Sequence, residues 1–179
     1  FWTFEEGDAD RIATLMPVNL SEPRVLSRAV LPAMLDRGRG RIVNVGSMFG
    51  SIGFAYFTAY SASKFGLRGF SQALRRELAD HAVDVIYISP RAIKTPINTG
   101  PIMAMGAVTK MNMDEPEAAA ERIFAAISSG RKETYLGFPE SLFARINAVL
   151  PGLVDRATRA QNRTARPFAH SSAAEAQPR

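Results

Sequence analysis

The sequence predicts an α/β fold, a doubly wound parallel sheet with helices on both faces. Two observations predict it. Segments with apolar residues at helical spacing alternate with short runs rich in β-branched residues. Each gap between those runs holds a helical segment, so the strands are joined by crossovers, lie parallel and are covered on both sides.

The first helical stretch runs from about Asp8 to Asp36, with Ile12, Leu15, Met16, Val25, Leu26, Ala29, Val30 and Met34 as its apolar positions. Pro17 and Pro23 predict a break or kink near its middle. Gly38 and Gly40 end it. "RIVNV" then predicts a buried strand at about 41–46. After the loop "GSMFGSIGFAYFT", a second helix is expected from about Ala59 to Asp80, with Phe65, Leu67, Phe70, Leu74 and Leu78 on its apolar side. "VDVIYIS" at 83–89 is the second strand, stopped by Pro90. Residues 90–114, rich in Pro, Gly and Met, read as a loop. "EPEAAAERIFAAISSG" is a helix: Glu115 and Glu117 suit the positive end of its dipole, and Gly130 lies past its other end. "ETYLG" at 133–137 is a third strand. Residues 139–162 read as a further amphipathic helix, interrupted at Pro151 and Gly152.

Composition removes several classes of function. The 179 residues suffice for one domain with a real core. The chain has no cysteine, which removes disulfides and thiolate chemistry and fits a reducing compartment. No apolar run reaches membrane-spanning length, and no signal peptide is visible; the expected location is cytoplasmic. The two histidines are poorly placed for a triad or a zinc site: His81 falls near a helix end and His170 near the chain end. No metal site is expected. The net charge is +5, but five arginines from Arg156 to Arg179 face Glu175 alone over that stretch, so the rest of the chain is near neutral and nucleic-acid binding is not expected. The domain is expected over 1–162, with a disordered basic tail over 163–179.

Gly46, Gly50 and Gly53 follow a strand and imitate a dinucleotide-binding turn. The context fails: no strand ending in an acidic residue follows about 20 residues on. Ser47 directly after Gly46 also breaks the nucleophile-elbow pattern.

The chemistry is expected at "YSASK", residues 60–64. Tyr60 and Lys64 stand four apart on a helix and share a face. Ser61, Ala62, Ser63 and Gly66 keep that face narrow, so another molecule can approach. A free tyrosine titrates near ~10, and moving it to ~7 takes roughly 4 kcal/mol. A close, partly desolvated ammonium is of the right size to supply that, which would make the phenol an acid–base at neutral pH. Ser47 sits at the carboxyl end of the first strand, the edge where such sheets bind ligands. Thirteen positions separate it from Tyr60, enough for a loop to bring both hydroxyls to one substrate oxygen.

Strand–Ser47, "YSASK" and "VDVIYISPRAIKTPI" in this order resemble the catalytic half of the short-chain dehydrogenase/reductase family. "PVNL", with Asn19, and "SQALRRELADHAV" extend the resemblance over residues 1 to about 137. The resemblance implies a Rossmann-like fold and NAD(P)-dependent hydride transfer on an alcohol or carbonyl. It implies Tyr60 as the acid–base, Lys64 on the nicotinamide ribose, Ser47 polarising the substrate oxygen and Asn19 holding a relay water. Pro90, Ile93 and Thr95 would line the nicotinamide end. It also implies a homodimer or homotetramer.

The chain departs from the family pattern in two places. Arg91 stands where the family has glycine; the expectation is a solvent-facing side chain, the alternative one that reaches a phosphate. The family's glycine-rich turn and adenosine-binding strand should precede Phe1, so the chain is expected to be the C-terminal portion of a longer protein. It would then lack the N-terminal strands, carry an extra C-terminal helix, leave "RIVNV" with an open edge that invites aggregation, and bind dinucleotide weakly or not at all. The methionines Met103, Met105, Met111 and Met113 predict an adaptable apolar lid and a hydrophobic substrate, or else core filling. The helix from Pro139 is expected to cap the site or pack between subunits; its basic end also permits peripheral membrane contact. The competing functions are an inactive fragment that keeps only helix-mediated association, and a sugar-nucleotide epimerase or dehydratase, which also uses Tyr-x-x-x-Lys.

Overall fold

The computed structural model describes residues 1–98 and 100–169. In chain order the elements are α1 (Ala9–Met16), α2 (Glu22–Asp36), β1 (Gly40–Val45), α3 (Thr58–Glu77), β2 (Val83–Pro90), β3 (Ala92–Ile93), α4 (Gly100–Thr109), β4 (Met113–Asp114), α5 (Pro116–Ser128), β5 (Glu133–Leu136), α6 (Glu140–Val149) and α7 (Pro151–Ala165). The main sheet is parallel with strand order β1-β2-β5.

Strand β2 is paired on both edges, and Val85, Ile86, Tyr87 and Ile88 are essentially inaccessible. Period-two alternation sends its residues to opposite faces. Val83 and Val85 join Ile42, Leu74 and Leu78 in a core closed by Leu31, Met34 and Phe70, from α2 and α3. Ile86 and Ile88 face α5, packing with Ala126, Ile123 and Ile127. A strand covered twice reads as a continuous apolar run, which "VDVIYIS" nearly is.

Asp8 caps α1, its carboxylate accepting from the Asp10 and Arg11 amides. The break expected at Pro17 is a π-helical turn over Pro17–Ser21, in which the Glu22 amide reaches the Pro17 carbonyl five residues back. Proline cannot donate to the preceding turn, and widening the helix there leaves Asn19 in the bulge.

Two expectations are corrected, and one holds. The segment 90–114 is not a loop: it holds α4 and the parallel pair β3–β4. "GPIMAMGAVT" is apolar on all sides, so it carries no helical periodicity to detect. The interruption expected at Pro151 in the helix over 139–162 is present as a full break: Leu150 at φ −131° and ψ 64° leaves the helical region and Pro151 starts α7. The domain boundary at 162 is also too early: α7 continues to Ala165, a 3-10 turn spans Arg166–Phe168, and Ala169 is buried. The rest of the expected tail, with His170, lies outside the described residues.

Among the described residues, strand β1 is the edge of its sheet, paired with β2. Among the described residues no helix is long and apolar enough to cross a membrane.

A carboxylate fastens α3 to the sheet. Glu133 of β5 accepts from Arg68 at 2.7 Å, Gln72 at 3.0 Å and Tyr135 at 2.6 Å. Burial alone would raise its pKa, but the hydrogen bonds from Tyr135, Gln72 and Arg68 outweigh burial and hold it below the usual value. A carboxyl depressed on folding stabilises above its unfolded pKa, and that contribution fades as pH falls through the folded one. Glu133→Gln is therefore expected to lose about 1–3 kcal/mol at neutral pH. The gap to wild type should shrink below about pH 4.5. Urea melts across that range check it; a gap that stays constant with pH would count against the clasp.

Candidate active site

The site is built where β1 and β2 end. The Gly46 amide extends the ladder to the Ile88 carbonyl at 2.7 Å. Ser47 follows in extended conformation and caps a 3-10 turn, its Oγ accepting from the Phe49 amide at 3.2 Å. An aromatic loop then leads into α3. Phe49 stacks on Phe54 at 4.6 Å and meets Phe57 and Tyr60 edge-on at 5.0 and 5.9 Å. Tyr60 lies in the first turn of α3, and Lys64 one turn on, its Nζ 5.6 Å from the Tyr60 ring centre. Ser61 and Ser63 between them are buried, small enough for α3 to seat closely.

Ser47, Tyr60 and Lys64 line one cavity of about 710 Å³, together with Pro90, Ile93 and Thr95 from the end of β2 and the segment after it. The Ser47 side chain faces Tyr60 as a hydrogen-bonding partner. Six of the seven expected residues therefore converge. Asn19 does not. It lies behind α3, beside a second cavity that Lys64 also borders. Its Nδ2 donates to Ser63 Oγ at 3.2 Å, and that hydroxyl donates to the Tyr60 carbonyl at 2.7 Å. Asn19 thus reaches the Tyr60 backbone through the Ser63 hydroxyl.

The electrostatics correct one expectation. Burial raises the Tyr60 pKa, the Ser47 hydrogen bond only partly counters it, and the phenol ends above its ordinary value. Burial likewise lowers the Lys64 pKa. Removing water from each charged form costs more than the protein around it returns. Tyr60 is accordingly a protonated donor at neutral pH, not an acidified phenol. Lys64 has no hydrogen bond or ion pair among the described residues, only the Tyr60 ring, so its donors remain free to face a ligand.

Arg91 is also corrected. It does not face solvent: its side chain is 18% exposed and pairs with Asp114 at 2.6 Å and Glu140 at 3.4 Å. Its charge is thereby neutralised and not free for a phosphate. Its stem crosses Gly137, which holds φ +108° and where a Cβ would stand 2.6 Å from Arg91 Cδ. Of the four methionines, Met105 and Met111 line the cavity, while Met103 is largely exposed.

Sequence reasoning missed Tyr87. Fully buried on β2, it points under the Ser47 loop, where its hydroxyl donates to the Ser47 carbonyl at 3.4 Å and accepts from the Ser47 amide at 3.5 Å. Burial pushes its pKa up to about 12. A Cβ on Gly46 would stand 2.2 Å from that hydroxyl, and one on Gly50 2.5 Å. Two of the three glycines that imitate a nucleotide-binding turn, Gly46 and Gly50, thus admit this phenol. Their spacing was the only signal, and its cause lies forty positions downstream.

A parallel α/β sheet with a serine at one strand end and a Tyr-x-x-x-Lys helix beside it defines a Rossmann-type domain with its ligand site at the carboxyl edge. The family model for short chain dehydrogenases matches residues 2–102, and the chain belongs to that family. Similar proteins include dehydrogenase/reductase SDR family member 7B of Bos taurus, 33% identical over 88% of this chain and 50% of its own length. The ketoacyl reductase HetN of Nostoc is 30% identical over 86% of this chain and 55% of its own. The chain thus spans about half the length of the curated relatives it matches. Among solved structures, a short chain dehydrogenase from Burkholderia cenocepacia in complex with NADP superposes with a TM-score of 0.74 at 25% identity, over 86% of this chain and 61% of that one. A short-chain dehydrogenase from Streptomyces avermitilis gives 0.69 at 27% identity, over 90% and 65%.

The Tyr87 contact is open to test. Gly46→Ala is expected to lower stability by about 1–3 kcal/mol, since the buried ring cannot yield. Gly53→Ala, where nothing stands within 4 Å, serves as the control. Thermal melts of both compare them; equal melting temperatures would remove the packing role given to Tyr87.

Proposed function

We propose that the chain carries the substrate and nicotinamide half of an NAD(P)-dependent oxidoreductase acting on a hydrophobic alcohol or carbonyl. The observation that supports it is the convergence of the Ser47 and Tyr60 hydroxyls and the Lys64 ammonium in one cavity at the carboxyl edge of the sheet. Tyr60, protonated by virtue of its burial, gives its proton to a substrate carbonyl oxygen, or receives one from an alcohol. Ser47 donates a second hydrogen bond to that oxygen. The residues present fit a nicotinamide riboside: Lys64 offers uncommitted donors for ribose hydroxyls, and Pro90, Ile93 and Thr95 wall the cavity beside it. When bound, the nicotinamide supplies the hydride chemistry. Asn19, in the π turn behind α3, supports a water on the far side of Lys64.

The NADP bound by the Burkholderia cenocepacia neighbour favours a nicotinamide cofactor. Among the described residues no glycine-rich turn opens a helix toward a pyrophosphate, since the glycines after β1 lead into a 3-10 turn. Affinity for NADH or NADPH is therefore expected to be weaker than low-micromolar. The exposed apolar residues Val25 and Leu26 on α2 and Phe65 on α3 favour a homodimer or homotetramer joined through these helices. The free edge of β1 favours a second reading, a non-catalytic chain that only associates.

One experiment separates the two. With millimolar NADPH and an apolar ketone, wild type is expected to oxidise NADPH and Tyr60→Phe to be slower by roughly 10²- to 10⁴-fold. Equal rates would overturn the role of Tyr60. No oxidation under any cofactor, alongside an oligomer by sedimentation, would favour the associating chain.

A further inference from the structure

Helices α6 and α7 meet at a corner on the surface. Their inner sides are committed to the fold: Ala144 and Val154 are buried in one cluster with Met48 and Ile52, and Ile146 packs against it. The corner itself reads Ala148, Val149, Leu150, Pro151, Gly152, Leu153, a run without a polar side chain, and every residue of it is exposed. Val149 is 77% exposed, Leu150 57% and Leu153 53%. A connection between helices is ordinarily polar, and a long exposed apolar run gives nothing to folding. Such a patch marks a surface that meets something other than water.

Positive charge flanks the corner on both helices. On α6, Leu142, Arg145 and Val149 stand at helical spacing, and all are exposed. On α7, Leu153, Arg156, Arg159 and Arg163 are three or four positions apart and also exposed. The other side of α7, with Val154, Ala157 and Thr158, lines the active-site cavity, so these arginines face outward. Over 141–169, Arg145, Arg156, Arg159, Arg163 and Arg166 stand against Asp155 alone. Among the described residues none of the five has an ion pair.

We infer that this corner docks on the surface of an anionic lipid bilayer. Val149, Leu150 and Leu153 enter below the phosphates, while the arginines of α6 and α7 bind the headgroups. A bilayer supplies both partners the corner needs: hydrocarbon for the tip and phosphate for the guanidiniums. A two-fold contact with a second copy would set the same arginines against one another. The attachment is peripheral, since among the described residues no helix is long and apolar enough to cross a membrane. It stands independently of the reaction proposed above.

Co-sedimentation of the full chain with vesicles tests the docking. Vesicles of phosphatidylcholine with phosphatidylserine are expected to bind wild type roughly tenfold or more tightly than phosphatidylcholine alone, and added salt is expected to weaken that binding. Leu150→Ser combined with Leu153→Ser is expected to weaken it by roughly tenfold or more. Arg156→Gln combined with Arg159→Gln is expected to cost about fivefold per arginine on the anionic vesicles alone. Circular dichroism melts establish that both variants fold. Wild type that stays in solution with both vesicles would overturn the docking. So would binding that survives the leucine changes, because charge alone would then hold the chain. An oligomer that forms without vesicles and that the leucine changes dissolve would give the corner to a second copy instead.

Discussion

Strand β2 is hydrogen-bonded on both edges and covered on both faces, so its side chains decide where the neighbouring elements can sit. Val83 and Val85 draw α2 and α3 to one face; Ile86 and Ile88 draw α5 to the other. Tyr87 follows Val83 and Val85 on the α3 side toward the carboxyl edge, where its hydroxyl meets the backbone of the Ser47 loop. Its ring must be roofed by backbone. Gly46 and Gly50 make that possible, because any Cβ there would overlap the phenol. The reactive serine is thus held from below by the same burial that assembles the sheet.

Above this support lies a group of polar side chains whose desolvation the protein does not offset. Tyr60 and Lys64 are both shifted toward their neutral forms by burial. Arg91, Asp114 and Glu133 are different: each charge has its counter-charge, and each is held in its ionised form. The contrast separates structural ion pairs from groups left open to a ligand. Titratable groups perturbed by burial in a cavity are a usual mark of a functional site.

The ion pairs have their own task. Glu133 fastens α3 to β5, and with it the helix that carries Tyr60 and Lys64. Arg91 joins the end of β2 to β4 and to the start of α6. Together they join elements on both sides of the cavity to the sheet.

What could be read from the sequence was whatever depends on near neighbours in the chain. Helix and strand periods, the break at Pro17, the shared face of Tyr60 and Lys64, and Ser47 at a strand end are all local patterns. Family resemblance carried those patterns to a fold and to an expected site, and six of its seven residues meet in one cavity. Helix α4 escaped because it has no polar face to set a period. Tyr87 beneath Ser47, Arg91 between Asp114 and Glu140, and Asn19 behind α3 depend on contacts between distant segments. The direction of the Tyr60 pKa shift belongs with them. Four residues of spacing place an ammonium nearby, but only tertiary packing determines how much water is left, and here the loss of water outweighs the Ser47 hydrogen bond that opposes it.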